Sequence, residues 1–151
     1  LSLFQATLLP LSTLLTPNIP EAELLAGRPI HGLEDMKAAA RQILQMGPKA
    51  VLVKGGHGQG REKTDLLLID GSFHTFSSAT ISTRNTHGTG CTLSSAIASF
   101  VARGQGICEA VASAKAYLYE ALRAGADVSV GEGHGPVNHF YDPQPLILTE
   151  Q

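Results

Sequence analysis

The sequence N-T-H-G-T-G-C-T, at residues 85–92, is the most informative stretch of this chain. Its small residues let the backbone approach a ligand closely. A helical pattern begins immediately after Gly88, and the start of a helix presents unpaired N–H groups and the positive end of the helix dipole. The thiol of Cys91 falls in this first turn. The stretch therefore predicts an anion-binding site with a polar nucleophile or base beside it.

Further helical patterns lie on both sides of this stretch. The helix that starts after Gly88 carries apolar residues on one side, at Leu93, Ile97, Phe100 and Val101. The spacing of apolar residues predicts other helices over residues 20–26, 33–44 and 109–123. Their ends are marked by Gly27, Gly47-Pro48 and Gly125.

Short β-like runs alternate with these helices. Residues 50–54 read A-V-L-V-K, which is typical of a strand buried on both faces of a parallel sheet. Residues 12–16 predict a strand that ends at Pro17, and residues 66–70 and 72–76 predict a hairpin with Asp70-Gly71 at its turn. We expect loops at the glycine-rich residues 55–60 and from Gly131 onward. The alternation predicts an α/β sheet with helical layers.

Composition and charge argue against several classes of protein. Of the 151 residues, 43% are hydrophobic and 16% are charged, which is the balance of a globular domain. The net charge is −2 without any Lys/Arg cluster, so a nucleic-acid surface is not expected. The apolar run at residues 8–15 is too short to span a bilayer. Two cysteines without a glycosylation sequon indicate a reducing, cytoplasmic setting.

Several common enzyme motifs are missing from the sequence. It contains no P-loop sequence and no G-x-G-x-x-G, and its six histidines do not have zinc-binding spacing. These observations argue against a P-loop enzyme, a Rossmann dehydrogenase and a metal hydrolase.

Four motifs together resemble one family. They are T-P-N-I-P-E at residues 16–21, V-L-V-K-G-G-H at 51–57, N-T-H-G-T-G-C at 85–91 and G-H-G-P-V-N-H-F at 133–140. The set resembles the hydroxymethylpyrimidine/phosphomethylpyrimidine kinases of thiamine synthesis, within the ribokinase-like superfamily. Sugar kinases of that superfamily usually end the third motif in Asp, whereas the Cys found here resembles the hydroxymethylpyrimidine kinase branch.

The resemblance implies a fold and a reaction. It implies a ribokinase-like layered sheet with helices on both faces, in which residues 1–151 form a single domain that is the C-terminal half of the family fold. The implied reaction is ATP-dependent, magnesium-assisted phosphorylation of hydroxymethylpyrimidine and of its monophosphate. A homo-oligomer or a complementary N-terminal half is then expected to complete the sheet, and no nucleic-acid or membrane partner is expected.

The resemblance also implies the site residues. Cys91 is the implied general base, and the amides of Gly88, Thr89 and Gly90 are the implied anion hole. The positive end of a helix favours the thiolate form of a cysteine in its first turn, as proton abstraction from an alcohol requires. Lys54 is implied to neutralise ATP phosphate charge. Asn18 and Glu21 are implied to hold magnesium and phosphate, largely through water.

Each motif also has a plain structural interpretation. Residues 85–92 could form a glycine turn with a Thr cap and a buried cysteine. Asn18 could cap the helix that follows, with Glu21 complementing its dipole, and Lys54 could simply reach solvent. Two functional alternatives also remain open. One is a pyridoxal kinase that shares the G-T-G-C form, and the other is a non-catalytic half that binds nucleotide or a complementary chain.

Overall fold

The structure is a computed structural model that describes residues 2–55 and 62–144. The chain divides into two compact units, residues 1–80 and residues 81–151. Each unit carries one group of the predicted site residues.

The first unit contains two helices close to their predicted positions and two short helices that were not predicted from the sequence. They are α1 (Ser2–Thr7), α2 (Ile19–Ala26) and α3 (Leu33–Leu44), with a 3-10 helix at Leu9–Leu11. Gly27 follows α2 in a left-handed conformation, with φ 66°, which glycine adopts without the penalty that a Cβ brings. The predictions of helices at residues 20–26 and 33–44 are confirmed.

The sheet of the first unit contains strands β1 (Ala50–Val53), β2 (Glu62–Ile69) and β3 (Ser72–Ala79), in that spatial order. Both pairs are antiparallel, with Leu52 opposite Leu67 and Leu68 opposite Phe73. At the β2–β3 turn, Asp70 and Gly71 both have positive φ, at 49° and 74°. Positive φ at both central residues is what a type I′ hairpin turn requires. The predicted hairpin is therefore confirmed, and its strands are longer than expected.

The expected strand at residues 12–16 is not a regular strand, although the segment pairs in parallel with the start of β1, with bonds from Lys49 N to Ser12 O and from Leu15 N to Ala50 O. Isolated parallel bridges to β1 and Lys54 are found instead, between Leu15 and Val51 and, beyond the predicted strand, between Asn18 and Lys54. The pairing has the same register on both sides of Pro17, with bonds from Leu52 N to Leu15 O and from Lys54 N to Pro17 O, but Pro17 has no N–H to donate the bond between them. The parallel pairing expected for β1 is present on one side only, because β1 has the parallel bridges on one side and antiparallel β2 on the other. Four consecutive buried residues in β1 do confirm the prediction of a buried strand.

Alternate residues of β1 and β2 build the core of this unit. One set, Val51, Val53, Leu66 and Leu68, belongs to a buried cluster with residues of α2 and α3, namely Ala22, Met36, Ala39, Ala40 and Ile43. The period of two on the strands and of three to four on the helices explains why these residues meet. The cluster fixes the end of β1, where Lys54 lies. The expected glycine-rich loop continues beyond Gly55 outside the described residues.

The second unit contains two helices in its described part, α4 (Thr89–Ala102) and α5 (Ile107–Gly125). Leu93 and Ile97 of α4 are buried as predicted, whereas Val101 is exposed. Helix α5 is longer than residues 109–123 and includes Gly125, so the prediction that Gly125 caps it is wrong. A Cβ at Gly125 would lie 3.0 Å from Asn138 N, so glycine is needed here for a close backbone approach.

Residues 126–144, which follow α5, contain neither helix nor strand apart from a single β-bridge at Pro136. The prediction of a loop from Gly131 onward is confirmed as far as residue 144. Within residues 2–55 and 62–144, none of the helices combines the length and the apolar character needed to cross a bilayer.

The core of the first unit makes a stability prediction. Ile43 is fully buried in α3, whereas Leu24 of α2 is 65% exposed. Ile43→Ala should lower the free energy of unfolding by about 2–5 kcal/mol, since it removes buried methyl groups and leaves a cavity. Leu24→Ala, the matched control, should change it by less than about 0.5 kcal/mol. Urea denaturation followed by circular dichroism measures both, and equal losses would contradict the assignment of this core.

Candidate active site

The N-terminus of α4 has the geometry of an anion site. Gly88 is its N-cap residue, with φ 82° and ψ 1°, a left-handed conformation suited to glycine. Gly88 has no side chain that could cap the amides of Gly90 and Cys91 as Ser or Asp would, and Thr89 N donates to Thr86 O at 3.4 Å. The first helical bond of this turn joins Thr92 N to Gly88 O at 2.8 Å.

Cys91 occupies the first turn of α4 and is exposed. Its thiol is therefore accessible beside the uncapped amides, which are the groups that favour a negative charge at a helix N-terminus. The plain interpretation of this stretch required a Thr cap and a buried cysteine. Both parts of it are wrong, because the N-cap residue is Gly88 and the thiol is exposed.

Asn85 holds the segment that leads into this turn. Its side chain is buried, and Nδ2 donates hydrogen bonds to the carbonyls of Gly125 at 2.7 Å and Val128 at 2.6 Å. Its backbone N–H donates to Thr83 Oγ1 at 3.0 Å. Buried polar groups are stable only when they are bonded in this way. The turn before α4 is thus fixed to the end of α5 and the residues after it.

The loop after α5 supplies a second support for the turn. His87 N donates to Gly135 O at 3.1 Å, within a parallel bridge between His87 and Pro136. A Cβ at Gly135 would lie 2.7 Å from Asn85 Cγ and closer still to Oδ1. Only glycine therefore allows this loop to lie against the Asn85 side chain.

The same loop reaches α4 and α5 further along. His139 Nε2 lies 2.9 Å from Thr92 Oγ1, and Tyr117 of α5 donates from its hydroxyl to His139 O at 3.2 Å. The rings of Tyr117 and Tyr141 have their centroids 5.6 Å apart. Burial, followed by the charge of neighbouring Asp142, raises the pKa of Tyr141 above its ordinary value.

The first unit brings Asn18, Glu21 and Lys54 together at one end of β1. Asn18 is the N-cap of α2 and accepts a bond from Glu21 N at 2.9 Å, while Glu21 Oε2 accepts from Asn18 N at 2.8 Å. This reciprocal pair is a capping box, so the plain interpretation of both residues is confirmed. Lys54 N donates to Pro17 O at 2.8 Å, which places Lys54 beside Asn18.

Asp65 is a residue of this end that the sequence interpretation missed. It is a buried carboxylate in β2, and Oδ1 accepts a hydrogen bond from Gly55 N at 2.8 Å. The bond fixes the backbone directly after Lys54. The signal for it was a charged residue directly before the apolar run L-L-L-I at residues 66–69, where the strand was predicted to start.

The predicted residues therefore form two groups, one in each unit. Gly88, Thr89, Gly90 and Cys91 share the first turn of α4, and Asn18, Glu21 and Lys54 share the end of β1. Among the residues that the structure describes, no group of three or more His, Cys, Asp or Glu side chains could hold a metal ion.

Comparison with known proteins assigns the chain to a family. Residues 1–138 match the family model described as "Phosphomethylpyrimidine kinase". The chain belongs to the phosphomethylpyrimidine kinase family. One curated relative is the hydroxymethylpyrimidine/phosphomethylpyrimidine kinase of Rhizobium meliloti, which is 49% identical over 135 residues. That match covers 89% of this chain and 51% of the relative, so the chain spans about half of its length.

Solved structures confirm the ribokinase-like α/β fold class. Pyridoxal kinase from Staphylococcus aureus, in complex with AMP-PCP and pyridoxal, matches with a TM-score of 0.85 and 33% identity, over 91% of this chain and 51% of that one. Phosphomethylpyrimidine kinase from Clostridium difficile matches with a TM-score of 0.67 and 44% identity, over 79% of this chain and 47% of that one. The family resemblance predicted from the four motifs is thereby confirmed.

The contact between Gly135 and Asn85 in this member of the phosphomethylpyrimidine kinase family can be tested with a pair of substitutions. Gly135→Ala should lower the free energy of unfolding by about 1–3 kcal/mol, because its Cβ would overlap Asn85. Gly133→Ala should change it by less than about 0.5 kcal/mol, since a Cβ there meets no heavy atom within 4 Å. Thermal or urea unfolding measures the difference. Equal effects of the two substitutions would show that Asn85 and Gly135 do not pack as described.

Proposed function

We propose that the protein carrying this chain phosphorylates 4-amino-5-hydroxymethyl-2-methylpyrimidine and its monophosphate with ATP. Both units would belong to one kinase domain, which the single family match over residues 1–138 supports. The names of relatives such as the Rhizobium meliloti kinase support the choice of substrate.

The observation that carries this proposal is the uncapped N-terminus of α4 with an exposed thiol in its first turn. Phosphoryl transfer is accelerated mainly by positioning and by stabilising the negative charge of the transferring group. Backbone amides of Gly88, Thr89 and Gly90 would supply that stabilisation, because they need no reorganisation during the reaction. The helix dipole adds to their effect within the first turn.

Cys91 would act as the general base. Its thiolate would take the proton of the substrate hydroxyl while the hydroxyl oxygen attacks the γ-phosphorus of ATP and ADP leaves. A base must lie within hydrogen-bond reach of the proton that it removes. The exposure of Cys91 next to the amides that would hold the phosphoryl group supports this role.

The end of β1 would bind nucleotide phosphate. Lys54 would neutralise their charge as a cationic donor, and Asn18 and Glu21 would organise magnesium through water. The capping box uses one lone pair each of Asn18 Oδ1 and Glu21 Oε2, and these oxygens retain further acceptor capacity. Magnesium keeps several of its waters, so bonds from those waters suit such partly used oxygens. The AMP-PCP complex of the Staphylococcus aureus neighbour supports ATP as the phosphoryl donor.

Pyridoxal phosphorylation is the second candidate. The higher TM-score to the Staphylococcus aureus pyridoxal kinase, 0.85 against 0.67, favours it, whereas the higher identity to the Clostridium difficile enzyme, 44% against 33%, favours the pyrimidine. A third candidate is a non-catalytic half that binds nucleotide or a complementary chain. Its support is the coverage of about half of the relatives' length.

Two free cysteines support a reducing, cytoplasmic compartment.

Turnover tests the role of Cys91. Cys91→Ala should lower turnover by about 10²–10⁴-fold, the usual share of a general base, and should leave ATP affinity nearly unchanged. Cys108→Ala is the matched control, since Cys108 is partly buried in α5, and it should keep near wild-type turnover. The measurement is ADP release with ATP, magnesium and hydroxymethylpyrimidine. Wild-type turnover in Cys91→Ala would refute the assigned role.

A pair of lysines at opposite ends of β1 tests the phosphate site. Lys54→Ala should raise KM for ATP by about 10–100-fold, because it removes a charge-assisted bond to phosphate. Lys49→Ala should change KM by less than about twofold, since exposed Lys49 precedes the other end of the strand. Steady-state kinetics at varied ATP measures both. Equal KM values in the two variants would show that Lys54 does not bind ATP phosphate and that its side chain simply faces solvent.

Comparison of substrates separates the three candidates. The proposal predicts a higher kcat/KM for hydroxymethylpyrimidine than for pyridoxal, because specificity is the ratio of these values. The reverse order would favour a pyridoxal kinase. ATP binding by calorimetry without turnover of either alcohol would favour the non-catalytic half.

A further inference from the structure

The turn that would bind phosphate is intrinsically weak. Gly88 is its N-cap and Gly90 its second helical residue, and glycine lowers helix propensity because it loses more backbone freedom than other residues. The first amides of a helix also lack partners within the helix. A turn built in this way needs support from outside α4 if its amides are to keep one direction.

Thr92 provides the attachment point for such support. It is buried, it directly follows Cys91, and its N–H closes the first bond of the helix, to Gly88 O at 2.8 Å. Thr in a helix often bonds the carbonyl four residues earlier, which competes with the helical bond. The Thr92 hydroxyl instead has a partner outside α4, His139 Nε2 at 2.9 Å.

His139 is itself held by α5. Tyr117 donates from its hydroxyl to His139 O at 3.2 Å, and Asn138 N donates to Ala121 O at 3.1 Å. Val137, two residues before His139, is 3% exposed and anchors this part of the loop in the second unit. The backbone of His139 is therefore fixed against α5, while its ring contacts the first turn of α4.

We propose that His139 is a positioning residue that holds the first turn of α4 through the Thr92 hydroxyl. Its importance for phosphorylation rests on the proposed function, but the support of the turn does not. The hydrogen bond keeps Thr92, and with it the Thr92 N–H to Gly88 O bond, in place while the glycine turn remains uncapped. His139 contacts α4 and acts through Thr92 rather than through a contact with the substrate.

Amide hydrogen exchange measured by NMR tests this directly in the chain as it stands. His139→Ala should speed exchange of the Thr92 amide by about 3–10-fold, the effect of one net hydrogen bond. His139→Gln, whose amide can still bond the hydroxyl, should restore the rate to within about twofold. Exchange at Val111, buried in α5, should stay unchanged in both variants. An unchanged Thr92 rate in His139→Ala would overturn the proposal.

A second histidine in the same loop provides the matched control. His134 Nδ1 lies 3.1 Å from Arg84 O, outside α4, so His134→Ala should leave Thr92 exchange within about twofold of wild type. Thr92→Val removes the hydroxyl itself, and both Thr92→Val and His139→Ala should speed amide exchange at the next residue, Leu93. The variant that combines Thr92→Val and His139→Ala should then exchange its Leu93 amide no faster than either single variant. Additive effects would overturn the proposal, whereas a confirmed support without kinase activity would contradict only the proposed function.

Discussion

Two hydrogen bonds from the side-chain amide of Asn85 hold the glycine turn of the second unit. They join Nδ2 to the carbonyls of Gly125 and Val128, in a buried position where an unpaired amide would be costly. Gly135 must lack a Cβ because it packs against this side chain. These contacts fix the turn that leads into Gly88 and the start of α4. The first amides of α4 therefore need no side-chain cap, and Cys91 is left exposed beside them.

In the first unit, a different set of contacts fixes the backbone around the candidate site residues. Its buried cluster fixes β1, and the bonds from Lys54 N to Pro17 O and from Gly55 N to Asp65 Oδ1 fix the backbone on both sides of the Lys54 side chain. The capping box of Asn18 and Glu21 orients two oxygen-bearing side chains beside it. In both units, hydrogen bonds between a polar side chain and the backbone hold the segments that carry the candidate site residues.

Local signals in the sequence predicted much of this arrangement. The type I′ turn at Asp70-Gly71 and the apolar run of β1 are determined by a few neighbouring residues, and both predictions are confirmed. Residues 12–16 pair with β1 only through an isolated bridge, and Pro17 cannot donate the bond that would join this bridge to the next one. Asp65, Gly135 and His139 were given no role, since their partners Gly55, Asn85 and Thr92 lie 10 to 50 residues away in the chain. Such contacts have no local sequence pattern.

The central claim is that the N-terminus of α4 binds a transferring phosphate. Titration of the chain with AMP-PCP and magnesium, followed through the backbone amide resonances of Gly90 and Cys91, tests it most directly. Saturable shifts of both amides, absent when adenosine replaces AMP-PCP, are the predicted result. Saturable binding that shifts other amides but leaves these two unmoved would contradict the account.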